Sequence, residues 1–343
     1  MLVHSFAKYR SLTSITLGAV LAIASVATTQ AETLKAESGN PATFNSQLAT
    51  LMSTYAERDH GIQMQLSTGQ NLAMAGVKVG AGRIDLSMIP TELTGYMSEG
   101  SRMYASMGDQ ASAAADNLRS LFGYVHGAYH VFTWADSGIE DWDDLAGKNV
   151  YIGPASSAAS SAIERVIEAN TGMTPGNGYN GVTMGWGASG QAFSDGQVDV
   201  LVSGSQIGSS SIEQYSLVNP IRFLGIAPSA RSGDVWQGLM STEGMMELSI
   251  DNTTYPNVSN PDGDIAMLAF TMMSVVHQGM DDDTAYALTS TLWDNIDEIR
   301  ASGPVFANLT IESAFTGVNV PLHPGAYRYY QEQGINVPAR LVP

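Results

Sequence analysis

Several short apolar runs in this chain end in a cluster of Ser, Thr, Gly and Asn and then give way to a helical pattern. That alternation limits the possible folds more than any other feature. Residues 61–66 read as a strand running into Ser67-Thr68-Gly69-Gln70-Asn71, with a helix following to about Val79. A second apolar strand is expected over 83–89. Residues 149–152 read as a strand ending in Gly153-Pro154-Ala155-Ser156-Ser157, and 158–170 as a helix with Ala162, Val166 and Ala169 on one face. Asp195-Gly196-Gln197 precedes a buried strand over 198–202, which leads through Ser203-Gly204-Ser205 to a helix near 210–215. Repeated strand, small-residue loop and helix units imply an α/β fold with parallel sheets and right-handed crossovers. Ligands on such sheets bind at the carboxyl ends of strands, where helices begin.

The first residues carry an export pattern. Lys8 and Arg10 form a basic region, residues 15–27 are apolar or small, and Thr29-Gln30-Ala31 offers small residues where a signal peptidase reads. Cleavage near Ala31 and a periplasmic location are expected. The apolar run falls short of the roughly 20 residues a membrane span requires. With no cysteine in the chain, disulfides, thiol nucleophiles, cysteine metal ligands and a lipid-modified cysteine are all excluded. Stability must come from apolar cores, which a hydrophobic content of 44% can supply. A net charge of −18 argues against nucleic acid and anionic membrane surfaces as partners.

Most sites that suggest chemistry dissolve on inspection. Gly185-Trp186-Gly187-Ala188-Ser189-Gly190 matches dinucleotide glycine spacing, but a lone match is weak, and the segment reads as a loop leading into a helix over 191–194. No nucleophile elbow, zinc-protease helix or phosphate-binding loop occurs. His126 and His130 share one face if they lie on a strand, yet no further ligands accompany them, so both are expected to be structural. Asp281-Asp282-Asp283 is expected to cap the helical run 285–299 rather than hold a metal. The Met-rich run 265–276 is expected to be core. No cofactor, no metal and no catalysis are therefore expected.

What remains is four polar loops: 38–43, 67–71, 156–160 and 203–206. Such loops expose backbone N–H groups and hydroxyls at helix N-termini, which suits an anionic group. Four of them are better explained by one shared cleft than by four ordinary turns.

Longer stretches resemble a known family. Ser137-Gly138-Ile139, then Asp144-Leu145-Ala146-Gly147-Lys148 and Val150-Tyr151-Ile152-Gly153-Pro154, are similar to a segment of the TAXI subgroup of TRAP-transporter solute receptors. Asp195-Gly196-Gln197-Val198-Asp199, Pro220-Ile221-Arg222-Phe223-Leu224 and the C-terminal Pro321-Leu322-His323-Pro324-Gly325-Ala326 continue the resemblance. It implies a two-lobed type II periplasmic-binding-protein fold with an interlobe ligand cleft. Residues 32–130 plus 228–343 would form one lobe and 131–227 the other, with a hinge near 130–133 and 223–227.

The implied function is capture of a small organic acid or amino acid by lobe closure and its delivery to a TRAP-type membrane permease. A sensory module that presents its ligand state to a receptor kinase is the alternative. The expected ligand contacts are Thr43, Thr68, Gln70, Asn71, Ser156, Ser157, Ser203 and Ser205, with Trp186, or Tyr96, stacking on the ligand's body.

Overall fold

The computed structural model describes residues 33–343, so the export signal expected over 1–31 lies outside the described residues. Strand β1 (Leu34–Glu37) leads into helix α1 (Phe44–His60), and β2 (Met64–Ser67) into α2 (Leu72–Gly80). α1 stops at Gly61, which takes the left-handed conformation (φ 67°) that glycine enters without strain. α2 starts where it does because the Asn71 side chain accepts from the backbone N–H groups of Ala73 and Met74. β3 (Leu86–Pro90) runs directly into α3 (Glu92–Glu99), followed by α4 (Asp109–Asp116). β1 lies between β2 and β3, parallel to both.

β4 (Leu118–Trp134) is 17 residues long. After it come β5 (Asn149–Tyr151), α5 (Ala158–Thr171), β6 (Thr174–Pro175), β7 (Gly178–Val182) and α6 (Trp186–Ser194). Next are β8 (Leu201–Ser205), α7 (Ser210–Val218), β9 (Ile221–Phe223), α8 (Asp234–Met240) and β10 (Met245–Ile250). The chain closes with β11 (Ile265–His277), α9 (Asp282–Trp293), α10 (Ile296–Ala301) and α11 (Pro324–Glu332).

The strands form an eight-stranded sheet in the order β2-β1-β3-β11-β4-β8, with β10 on β11 and β9 on β4, and a parallel three-stranded sheet, β5-β7-β6. The α/β class is as expected, but the larger sheet is mixed, because β11 runs antiparallel to β3 and to β4. β4 serves two sets of partners. Its first part, Leu118 to Ala128, pairs with β11, and its last part pairs with β8 and β9. β11 is the expected Met-rich core, buried from Ile265 to Val276. Phe122, Phe132 and Leu288 are fully buried around these strands, and each contributes roughly 1.5–3 kcal/mol relative to exposure.

Three departures from the sequence expectations have physical causes. The strand expected over 198–202 is instead Leu201–Ser205, because Ser203, Gly204 and Ser205 pair with His130, Tyr129 and Ala128 of β4. Tertiary pairing overrides the poor strand preference of Gly and Ser. The loop expected over 185–190 is already the first turns of α6. Its Gly190 lets the helix approach the Tyr215 hydroxyl, into which a Cβ would run. The helix expected over 285–299 breaks between α9 and α10, at Asp294 and Asn295. Its start is as expected: the Asp281 side chain accepts from the N–H groups of Asp283 and Thr284.

A fourth departure bears on the site. β4 carries a bulge: Val125 pairs with Thr271, while Gly127 pairs with the adjacent Phe270. Gly127 has φ 146°, and a Cβ there would strike the Ser205 carbonyl. An extra residue reverses the alternation of faces beyond it. His126 and His130 therefore do not share a face. His126 sits on Phe270, and His130 packs against Phe223 and Tyr255.

Candidate functional site

A cleft of about 460 Å³ opens where the strands end. Its walls are the junctions β1–α1, β2–α2, β3–α3, β5–α5 and β7–α6, all at the carboxyl ends of their strands. Its floor is His126 and Tyr129 of β4, Gly204 of β8, and Phe270 and Met272 of β11.

Four helices of nine residues or more begin at this cleft: α1, α2, α5 and α6. The first N–H groups of a helix lack the usual partner one turn back, and short backbone bonds take up only some of them: Ser46 N donates to the Thr43 carbonyl at α1 and Ala188 N to the Gly185 carbonyl at α6. At α2 and α5 a side chain takes part of that load. Asn71 Oδ1 lies 2.9 Å from Ala73 N, and Ser157 Oγ accepts from Ser160 N at 3.1 Å while donating to the Pro154 carbonyl at 2.7 Å. At α1 and α6 no side chain does so. The Thr43 hydroxyl instead contacts the Asn40 carbonyl and Asn45 Oδ1, each at 2.6 Å, and α6 is preceded by Gly185.

His126 is only 4% exposed. Its ring is fixed by Phe270, stacked at 4.9 Å, and by Phe44, edge-on at 6.0 Å. Its Nδ1 has no hydrogen-bond partner. Burial pulls its pKa down to about 4, so the imidazole is neutral near pH 7. Tyr129 stacks on the same Phe270 at 4.5 Å, and burial pushes its phenol well above the usual range.

Among the described residues, no Asp, Glu, Lys or Arg lines the cleft. One acid lies close behind it. Glu92 sits between the lining residues Pro90 and Leu93, is 2% exposed, and has no partner for either carboxylate oxygen. Burial pushes its carboxyl up to about 8.

The structure brings five of the sequence-predicted contacts to this cleft: Thr43, Gln70, Asn71, Ser157 and Trp186. Four others do not line it. Thr68 is exposed on the β2–α2 turn, and its carbonyl accepts from Gln70. Ser156 is exposed in a left-handed conformation, φ 53°. Ser203 and Ser205 flank Gly204 on a strand, so when Gly204 faces the cleft they face away. Ser205 Oγ there approaches His130 Nδ1 at 3.4 Å. Tyr96 is buried in α3 and does not line the cleft either.

Sequence reasoning missed the floor. Phe270 and Met272 fall in the run expected to be core, His126 is expected to be structural, and Tyr129 carries no expectation of a site. The one local signal was Gly127 inside a strand pattern, which marks a bulge. Among the described residues, no group of three His, Asp or Glu side chains is placed to hold a metal.

An α/β fold with a cleft at the strand ends, walled by helix N-termini, is the architecture of a small-molecule binding site. The chain belongs to the NMT1-like family, whose model matches residues 43–334. Solved structures similar to it include a TRAP periplasmic solute-binding protein from Sulfitobacter sp. NAS-14.1 with bound β-D-galacturonate, at 10% identity, TM-score 0.47, 89% of this chain and 88% of that one. Another is a TRAP periplasmic solute-binding protein from Ralstonia eutropha H16 with bound (S)-2-acetolactate, at 12% identity, TM-score 0.46, 89% of this chain and 86% of that one. A third is the alkanesulfonate-binding protein SsuA from Xanthomonas axonopodis pv. citri bound to MOPS, at 14% identity, TM-score 0.47, 90% of this chain and 96% of that one. All three alignments fall below a TM-score of 0.5.

Proposed function

We propose that this chain is a periplasmic receptor that captures a small organic anion and hands it to a TRAP-type membrane permease. One observation carries the reading: four helix N-termini meet at a single cleft free of acidic side chains, in a chain of net charge −18. In so acidic a chain, a cleft without an Asp or Glu is a place where an anion meets no repelling side chain. Helix N-termini add a fixed positive potential of about half a charge each.

The cleft walls come from both proposed lobes. Loops before α1 and α2 belong to 32–130, while those before α5 and α6, and Gly204, belong to 131–227. A ligand touching both favours the closed arrangement. The proposed hinge at 130–133 falls in the part of β4 that exchanges β11 for β8 and β9. The TAXI-like segments 137–154, 195–199 and 321–326 and the export pattern over 1–31 support the transport role and the periplasmic location. Thr43, Gln70, Asn71, Ser157 and Trp186 are the proposed contacts, joined by His126. Binding without turnover is the proposed activity, since the lining offers no nucleophile beside a general base.

A thermal-shift screen of the purified protein against organic acids, amino acids and sugars tests this. Binding at a hundredfold excess over Kd stabilises by about 2.7 kcal/mol, which raises the melting temperature. Folded, ligand-free protein that shifts with no anion would defeat the proposal.

A further inference from the structure

The polar side chains around the cleft are mostly turned toward the protein. Thr43 contacts the Asn40 carbonyl and Asn45 Oδ1. Asn45 Nδ2 donates to Ser38 Oγ at 3.2 Å, and Gln70 Nε2 to the Thr68 carbonyl at 3.1 Å. The Ser157 hydroxyl both donates and accepts within its own capping box. The lining side chains that keep a free polar group, Asn40, Gln70, Asn71, Trp186 and Tyr129, are spread over separate walls and the floor, and a sugar-acid hydroxyl that reaches none of them costs roughly 1–3 kcal/mol.

Charge narrows the choice further. A ligand ammonium would find no carboxylate in the lining, and a second carboxylate would find no Arg or Lys. What the cleft does offer one anionic head is a partly unspent polar corner, in which Thr43 N and Ser46 N donate to the Asn40 and Thr43 carbonyls and the N–H groups of Phe44 and Asn45 remain. α1 begins there without a side-chain cap, and its first residue, Phe44, packs edge-on against His126, whose buried Nδ1 is unpartnered. Much of the remaining lining is apolar: Leu93, Phe270, Met272 and the rings of Tyr129 and Trp186. The volume of about 460 Å³ lies in the range of about 300–1,000 Å³ typical of sites that enclose a ligand well beyond a few carbons.

We infer that the ligand is a monocarboxylate with an uncharged, largely apolar body, such as an aryl-alkyl or medium-chain alkyl carboxylate. Its carboxylate meets the α1 N-terminus and a neutral His126 N–H, and its body lies against the aromatic floor. This inference rests on the receptor reading and sharpens it, since it excludes amino acids, dicarboxylates and sugar acids as preferred ligands.

Calorimetric titration of the purified protein with 4-phenylbutanoate, hexanoate, L-glutamate, succinate and D-galacturonate distinguishes the outcomes. The expected result is that the two apolar monocarboxylates bind at least tenfold more tightly than the other three. His126→Phe, which keeps the stack on Phe270 but removes the ring N–H, weakens them at least tenfold. Titrating the unaltered protein with 4-phenylbutanamide makes the same test without a mutation, and equal affinity for amide and acid overturns the proposal. Preferred binding of glutamate, succinate or galacturonate overturns the ligand class and leaves the receptor reading standing. Heat from none of the five, in protein shown to be folded and ligand-free, overturns the class and counts against the receptor reading as well.

Discussion

The imidazole of His126 lies on the Phe270 ring with centroids 4.9 Å apart and an interplanar angle of 28°. That contact joins β4 to β11 at the cleft floor and keeps the ring dry. Dryness sets its titration. With a folded pKa of about 4 against the ordinary 6.5 of histidine, the neutral form is favoured in the native state. His126 therefore contributes stability that is complete above about pH 6.5 and is lost as pH falls toward 4. Replacing it with Phe should reduce the loss of stability between pH 6.5 and 4 by roughly 3 kcal/mol, read from urea melts at the two pH values.

Glu92 runs the other way. Its folded pKa of about 8 lies above the ordinary 4.5 of glutamate, so the protonated carboxyl is favoured when buried. Its stabilising contribution is complete below about pH 4.5 and disappears as pH rises through 8. Glu92→Gln should leave the melting temperature nearly unchanged at pH 4.5 and raise it at pH 8, by the equivalent of roughly 4 kcal/mol. Equal effects at both pH values would show that the carboxyl is ionised inside the fold.

On the far face of β4, a chain of hydrogen bonds runs from the buried His130 to the exposed β8–α7 loop. Gly208 N–H donates to the Tyr255 hydroxyl at 2.9 Å, and that hydroxyl lies 2.9 Å from His130 Nε2. Tyr255→Phe leaves the buried His130 Nε2 without its partner and frees the exposed Gly208 N–H to water, and should cost about 1–3 kcal/mol in chemical denaturation. Ligand affinity should not change. The same holds for Ser203→Ala and Ser205→Ala, because both side chains point to this face; a tenfold loss of affinity in either would place them in the cleft after all.

Gly127→Ala tests the bulge. The substitution puts a Cβ against the Ser205 carbonyl at a φ of 146°. A destabilisation of about 2 kcal/mol or more is expected, with ligand affinity reduced, since His126 and Tyr129 are phased by the same residue. Thermal melts and calorimetry on one preparation check both.

The sequence made the strand-to-helix junctions legible because each is local: Asn71, Ser157 and Asp281 act on amides two or three residues away. The junctions before α1, α2 and α5 could therefore be placed near one site from the sequence, whereas the fourth loop expected there, 203–206, is largely the end of β8, of which only Gly204 lines the cleft, and the junction before α6 entered the expectation only through Trp186. The facing of Ser203 and Ser205 was not legible, because it depends on pairing with β4, some 70 residues earlier. Nor was the cleft floor, which joins residues 126 and 129 to residues 270 and 272 by a register that a single bulge resets. Glu92 offered no signal at all: an acid after a strand looks like any helix start until its burial is known.

The walls of the cleft and the ladder of the sheet are built from different residues. Asn40, Gln70, Ala159 and Trp186 sit beyond the ends of β1, β2, β5 and β7 and take no part in their pairing. The scaffold can thus be re-aimed at another small molecule by changing loop positions alone, much as a lock is rekeyed without replacing its body. The floor cannot be changed so freely, because His126, Tyr129 and Phe270 belong to the two strands that hold the whole sheet together.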